Sequence, residues 1–392
     1  MNERNVQTIP VGSLGIIAME NIQPLSEKVD AYLASWRNDR EKTSGENALH
    51  FKGYQRDSFI VEAKTPRFGS GEGKGVILES VRGMDLYILV DVLNYSLTYK
   101  LCGTINHMSP DDHYQDLKRI IGAVQGKANR INVIMPFLYE GRQHRRTARE
   151  SLDCAAMLQE LFALGIDNFI TFDAHDPRVQ NAIPDKGFES VPCTYQFIKR
   201  LVRSVPDVRL DGDHLVVISP DEGGMGRAVT FANYLNVDVG MFYKRRDYTQ
   251  IVNGTNPIVA HEYLGKDLEG KDVLIIDDMI SSGGSMIEVA KEMKARKANR
   301  VFVGATFGLF TNGLDKFDQA YEEGYITKLL TTNLTYQKPE LFERPYYSSV
   351  DLSKYIALII DTLNHNGSLG DLLSPTDRIN RFLAKHRLEL GE

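Results

Sequence analysis

At 392 residues, with 42% hydrophobic and 25% charged residues, the chain is long enough for two domains with sizeable cores. Its net charge of −6 gives no general pull toward nucleic acid or an anionic membrane. No apolar run approaches the roughly 20 residues that span a bilayer. The opening MNERNVQTIP carries an acid and no apolar stretch, so it does not read as a signal peptide. Cys102, Cys154 and Cys193 are odd in number and far apart, which argues for reduced thiols and against a structural zinc site. These features lead us to expect a soluble, cytoplasmic protein with neither nucleic acid nor membrane as partner.

Apolar runs at 14–18, 58–62, 76–79, 85–91, 131–135, 168–172, 214–218, 238–243, 272–276, 300–306 and 328–332 predict strands. Helical patterns fall at 25–36, 113–125, 147–164, 193–204, 225–235, 285–297 and 350–364. This alternation predicts an α/β protein with parallel sheets, and the number of elements suggests two of them. The boundary is expected near 184–192. Residues 37–57 and 93–112 look like insertions, the second a hairpin or long loop, and a short helix is expected at 376–387.

Several motifs punctuate the strands. Residues 68–75, FGSGEGKG, match neither a Walker A loop nor G-x-G-x-x-G, and a strand pattern follows; by itself such a stretch is more often a flexible turn. In YEGRQHRRTAR (139–149), Arg142, Arg145, Arg146 and Arg149 share a face if helical. That face is either solvated or, because it follows a strand end, a phosphate or nucleotide site. TFDAHD (171–176) puts Asp173 and His175 at a strand end, where His175 is either a structural histidine or a divalent-metal ligand. SPDEGGMGR (219–227) offers Asp221 before two glycines, suited to metal or sugar, and Lys244-Arg245-Arg246 ends a strand and begins a long loop. Cations on such a loop can close over a polyphosphate.

The most informative stretch is DVLIIDDMISSGGSM, 272–286. A buried strand ends at Asp277 and Asp278. Ser281, Ser282, Gly283, Gly284 and Ser285 then lead into a helix with Met286, Ile287, Val289, Ala290 and Met293 on one face. Backbone N–H groups at such a turn bind anions, while the acids suit ribose hydroxyls or magnesium-bound water. The stretch reads as a site for a phosphorylated sugar.

The 277–285 loop resembles that of type I phosphoribosyltransferases and of phosphoribosyl-pyrophosphate (PRPP) synthetases. Taken in order, ESVRG (79–83), the Arg-Gln pair at 142–143, DAH (173–175), SPDEGG (219–224), KRR (244–246) and 277–285 resemble the ribose-phosphate pyrophosphokinase family from about Gly15 to Gly370, with both insertions outside the likeness. The resemblance implies two similar parallel-sheet domains of phosphoribosyltransferase type, here 1–188 and 189–392. It implies transfer of the β,γ-diphosphoryl group of ATP to the 1-hydroxyl of ribose 5-phosphate, giving PRPP and AMP. By motif position, Phe68, Ser70, Glu72, Arg142, Gln143 and His144 would contact ATP. His175 and Asp221 would hold Mg2+, and Asp277, Asp278 and Ser281 to Ser285 would take ribose 5-phosphate. Lys244 and Arg246 would be catalytic, on a closing loop. The family also implies a homo-oligomer, a hexamer built from dimers.

The sequence departs from the family pattern at several points. Ser281 replaces the usual acid, FGSGEGKG replaces an Asn-containing loop, one extra residue precedes Arg142, and His144 stands where Asp is usual. Two rivals share parts of the pattern. A PRPP-using phosphoribosyltransferase would need neither a complete first domain nor the Arg-Gln pair. A non-catalytic regulatory paralogue would be marked by loss of the metal and closing-loop residues, which this chain keeps.

Overall fold

The computed structural model describes residues 9–44, 53–246 and 258–391. Two compact units divide the chain: 1–192 with 333–336 and 351–374, and 193–332 with 337–350 and 375–392. The carboxyl-terminal half is thus not one continuous body, because its helix Ser353–Asn364 belongs to the first unit. No helix among the described residues is long and apolar enough to cross a membrane.

In the first unit, strands β1 (Ser13–Ala18), β2 (Met84–Leu89), β3 (Arg130–Ile134), β4 (Asn168–Phe172) and β5 (Gly187–Val191) form a parallel sheet in sequence order. The inner strands are mostly apolar and largely buried, as expected of parallel strands covered on both faces. The run at 58–62 contributes only a bridge from Ile60 to Ile16, because the Phe59 amide donates to Asp30 Oδ1 (2.7 Å) instead of extending a ladder. The run at 76–79 shortens to Val76–Ile77, paired with Ala63–Lys64. Within 93–112 lies a hairpin, Thr98–Leu101 with Thr104–His107.

Helix Gln23–Ser44 runs well past the expected end at 36, into the segment read as the first insertion. Arg37 and Arg40 hold it there: Arg37 is buried and donates to Asn364 Oδ1 (2.6 Å), and Arg40 pairs with Asp361, both partners lying on helix Ser353–Asn364 of the same unit. Residues 45–52 of that insertion lie outside the described residues. The helix expected at 147–164 is confined to Asp153–Ala163. Residues 139–149 form turns, with Glu140 in a left-handed conformation (φ 52°) that no helix interior contains. The four arginines therefore do not share a helix face.

In the second unit, β6 (Leu215–Ser219), β7 (Asp238–Arg246), β8 (Ile258–Leu264), β9 (Asp272–Ile280), β10 (Val301–Gly308), β11 (Lys328–Thr332) and β12 (Tyr347–Val350) make one sheet of order β8-β7-β6-β9-β10-β11-β12. All pairs are parallel except β7 with β8. The chain moves outward in opposite directions from β6 and β9, so the carboxyl ends of these neighbours border the switch point where open α/β sheets bind ligands. Strand β9 is longer than expected and stays paired to β10 through Ile280. Asp277 and Asp278 therefore lie inside the strand and not beyond it. Likewise β7 continues through Lys244 and Arg246, opposite His261 and Ile258 of β8; the loop expected to start at 244 begins later, at 247–257, outside the described residues. Helix Gly284–Ala295 buries Met286, Ile287, Val289, Ala290 and Met293, the face the periodicity predicts, against Val273, Ile275, Val301 and Val303.

Candidate active site

The second unit gathers its polar groups at the ends of β6 and β9. After β6 the chain turns through 220–224 into helix Met225–Leu235. Ser219 Oγ donates to the Asp221 carbonyl (2.7 Å), and the Gly224 amide donates to Asp221 Oδ1 (3.0 Å). A Cβ on Gly224 would lie 3.4 Å from Asp277 Oδ1 and 2.9 Å from Ser219 Oγ. The two strand-end turns therefore converge, and the glycine makes room for them.

Asp277 accepts the Asp278 amide (2.9 Å), and Arg227 stands 3.6 Å from Asp277 and 3.9 Å from Asp278. Burial, then the neighbouring Asp278 charge, push the Asp277 carboxyl well above the usual carboxylate range, with Arg227 opposing. Two adjacent, largely buried acids favour a ligand that donates hydrogen bonds or carries positive charge.

The next turn is built for an anion. Gly283 adopts φ 83°, and a Cβ there would fall 2.2 Å from the Phe317 ring, so only glycine fits. The Ile280 and Ser281 carbonyls accept the Leu309 and Thr311 amides (2.9 and 3.0 Å), which pins the turn to the segment after β10. Helix Gly284–Ala295 then begins at Ser282-Gly283-Gly284-Ser285, and its first turn supplies N–H groups that the helix itself does not use.

In the first unit, a cleft of about 770 Å³ is lined by Tyr139, Arg142, Gln143 and Arg145, with Asp111 and Glu150 among its acids. Tight turns shape its wall: the Gly141 amide donates to Leu138 O (2.9 Å) and the Gln143 amide to Glu140 O (2.8 Å). His144 does not line this cleft. Its ring lies 5.3 Å from that of His175, with Nε2 3.5 Å from Asp176. Hydrogen bonds from Arg178 hold the Asp176 carboxyl down at about 2.

Phe68, Ser70 and Glu72 form a third group. The Phe68 amide donates to Glu72 O (2.7 Å), Ser70 Oγ donates to Glu72 Oε2 (2.8 Å), and the Cys102 amide of the hairpin donates to Gly69 O (2.9 Å). This stretch is thus a ribbon turn docked on the hairpin, with Phe68 55% exposed. The six residues expected to meet ATP fall into three clusters of the first unit, and only Arg142 and Gln143 line the cleft. The side chains of Lys244 and Arg246 lie outside the description.

Sequence reasoning passed over Arg227, Tyr139 and Asp111. Arg227 had a signal, closing SPDEGGMGR one turn into the helix. Asp111 had none, because it sits in a segment read as an insertion. Among the described residues no three His, Cys, Asp or Glu side chains group to hold a metal ion. A magnesium ion that brings its own water and phosphate oxygens needs no closed cage, only one or two protein ligands, and a strand-end acid such as Asp221 has the chemistry for that.

Residues 14–165 match the N-terminal domain of ribose phosphate pyrophosphokinase, and residues 193–322 match the phosphoribosyl transferase domain. The ribose-phosphate pyrophosphokinase of Pasteurella multocida is 30% identical over 261 residues, 66% of this chain and 74% of the relative. That of Vibrio parahaemolyticus is 28% identical over 321 residues, 80% and 92% of the two chains. The crystal structure of phosphoribosylpyrophosphate synthetase from Mycobacterium smegmatis superposes with a TM-score of 0.69 at 22% identity, covering 91% of this chain and all of that one. This last likeness shows a shared α/β fold.

Proposed function

The chain belongs to the ribose-phosphate pyrophosphokinase family, and from that premise we propose how its residues divide the reaction. It is a diphosphotransferase, moving the β,γ-diphosphoryl group of ATP onto the 1-hydroxyl of ribose 5-phosphate to give PRPP and AMP. The first unit carries the nucleotide side and the second unit the sugar-phosphate side.

The sugar's 5-phosphate sits in the turn Ser281–Ser285, where helix N–H groups and serine hydroxyls are donors. Its ribose hydroxyls meet Asp277 and Asp278. With Ser281 in place of an acid, the hydroxyl contacts fall more heavily on that pair. Arg142 and Gln143 hold ATP in the first-unit cleft, His144 contacts it from beside His175, and Phe68, Ser70 and Glu72 present an exposed aromatic and an acid for further nucleotide contact. Lys244 and Arg246 stabilise charge on the transferred group. Attack at the β-phosphorus brings two polyanions together, so positioning and cationic side chains carry the catalysis and no covalent nucleophile is required. Mg2+, when bound, supplies further charge neutralisation on the polyphosphate; His175 and Asp221 would hold it, Asp221 already oriented by the Gly224 amide. We further infer a cytoplasmic homo-oligomer, in the hexamer-of-dimers form that the family resemblance implies.

The observation that supports this reading most directly is the meeting of the Asp221 turn with Asp277 at the switch point, next to an anion-ready helix start. The test is to incubate the purified protein with ATP, Mg2+ and ribose 5-phosphate and follow AMP. AMP is expected only when the sugar is present; AMP that forms equally without it, or never forms, overturns the reading.

A further inference from the structure

The cleft that carries Arg142 and Gln143 takes one wall residue, Asp111, from a segment well before them in the chain. Asp111 belongs to the 93–112 segment and is the second residue of helix Pro110–Val124. That helix start is a stiff mount. A capping box closes it, with the Ser109 amide donating to Asp112 Oδ2 (3.0 Å) and the Asp112 amide to Ser109 Oγ (3.2 Å). The buried His113 ring ties it down as well: Nδ1 accepts from the Asn21 side-chain amide (2.8 Å) and Nε2 donates to the Asn94 carbonyl (2.7 Å).

From this mount Asp111 Oδ1 accepts the Tyr139 hydroxyl (2.6 Å), and the Tyr139 ring stacks on Tyr114 of the same helix at 4.6 Å and 16°. Three residues after Tyr139 comes Arg142. Between them lie the two tight turns and left-handed Glu140. A non-glycine residue keeps that conformation only where its flanks over-determine it, and here one flank is the clamped tyrosine.

We propose that Asp111 is a positioning residue for the nucleotide end of the reaction, acting through Tyr139 to hold the turn that presents Arg142 and Gln143. This inference rests on the placement of ATP in that cleft. It makes the inserted segment a determinant of ATP affinity and leaves the sugar site to the second unit.

The test compares Asp111→Ala, Tyr139→Phe, their double variant and Asp111→Asn, whose amide oxygen still accepts a hydrogen bond. Initial rates are measured against ATP and, separately, against ribose 5-phosphate, with Mg-ATP binding by calorimetry alongside. The expected result is a rise of about fivefold in KM for ATP in each of the first two, with kcat and KM for ribose 5-phosphate unchanged. The double variant should be no worse than either single, and Asp111→Asn should recover most of the loss. An unchanged KM for ATP, additive losses, or a parallel rise in both KM values overturns the proposal. A wild-type protein that binds Mg-ATP without releasing AMP would instead overturn the reaction assignment, and calorimetry on the same variants would still decide the role of Asp111. No Mg-ATP binding by the wild type would end the proposal as well.

Discussion

In the second unit, Asp278, Gly224 and Gly283 are buried, and each is fixed by a strand, a helix start or a ring packed against it. In the first unit, Arg142, Arg145 and Glu150 stand exposed on a segment that is neither helix nor strand. As proposed sites, the two regions would bind in different ways. Where the fold itself makes the site, changing a site residue disturbs both chemistry and stability. Where a turn presents the residues, side chains can be altered with little effect on the fold, and affinity depends on what holds the turn.

The largest effect is expected from Asp277→Asn. If Asp277 and Asp278 meet the ribose hydroxyls as proposed, losing one of them should lower kcat on the order of a hundredfold or more, read from AMP release. Stability should move the other way. The Asp277 carboxyl is raised in the folded state above its ordinary 3.8, mainly by burial and by Asp278. A raised group contributes stability that is complete below about pH 4 and is lost as pH climbs through the folded value. The unfolding free energy of the wild type should therefore fall as pH rises from about 4 into the mildly alkaline range, and the variant should lack that fall. Parallel pH slopes in the two proteins would show that Asp277 is not crowded, and the contrast between the units would lose its electrostatic basis.

Gly283→Ala sharpens the same contrast through packing. The left-handed φ costs about 1 kcal/mol for a residue with a Cβ, and the contact with Phe317 adds roughly 1–3 kcal/mol of overpacking. Urea unfolding should record a loss of about 2–4 kcal/mol, accompanied by weaker ribose 5-phosphate binding. A change within about 0.5 kcal/mol would mean that the turn is not held as tightly as its neighbours imply.

The same difference governs how much could be read from the sequence. The β9-turn-helix unit was legible because its residue period changes from a continuous apolar run to a 3.6-residue face across a Ser/Gly turn. The position of Asp277 and Asp278 inside β9 was not, because it depends on β10 running as far as Gly308. Strands β5 (GFESV), β8 (IVAHEYL) and β12 (YSSV) went unseen, since edge or outer strands mix polar residues into the run. The arginine cluster suggested a helix by spacing alone, whereas the segment runs in turns from left-handed Glu140 onward. The extension of the first long helix depends on Asp361, more than three hundred residues away, and the mount of Tyr139 depends on Asp111, 28 residues earlier. Contacts of that range leave no local periodicity.

The smallest of these effects tests the first unit. Arg142 is exposed and lines the cleft, so Arg142→Ala removes a cation without opening a cavity or leaving a buried partner unpaired. Its unfolding free energy should stay within about 0.5 kcal/mol of the wild type. KM for ATP should rise about tenfold, near 1.4 kcal/mol, if the guanidinium holds the nucleotide equally in the ground and transition states. A fall in kcat at constant KM would place Arg142 with the charge-stabilising groups instead. A loss of stability as large as that of Gly283→Ala would erase the distinction, because the turn would then be as much a part of the fold as the switch-point strands.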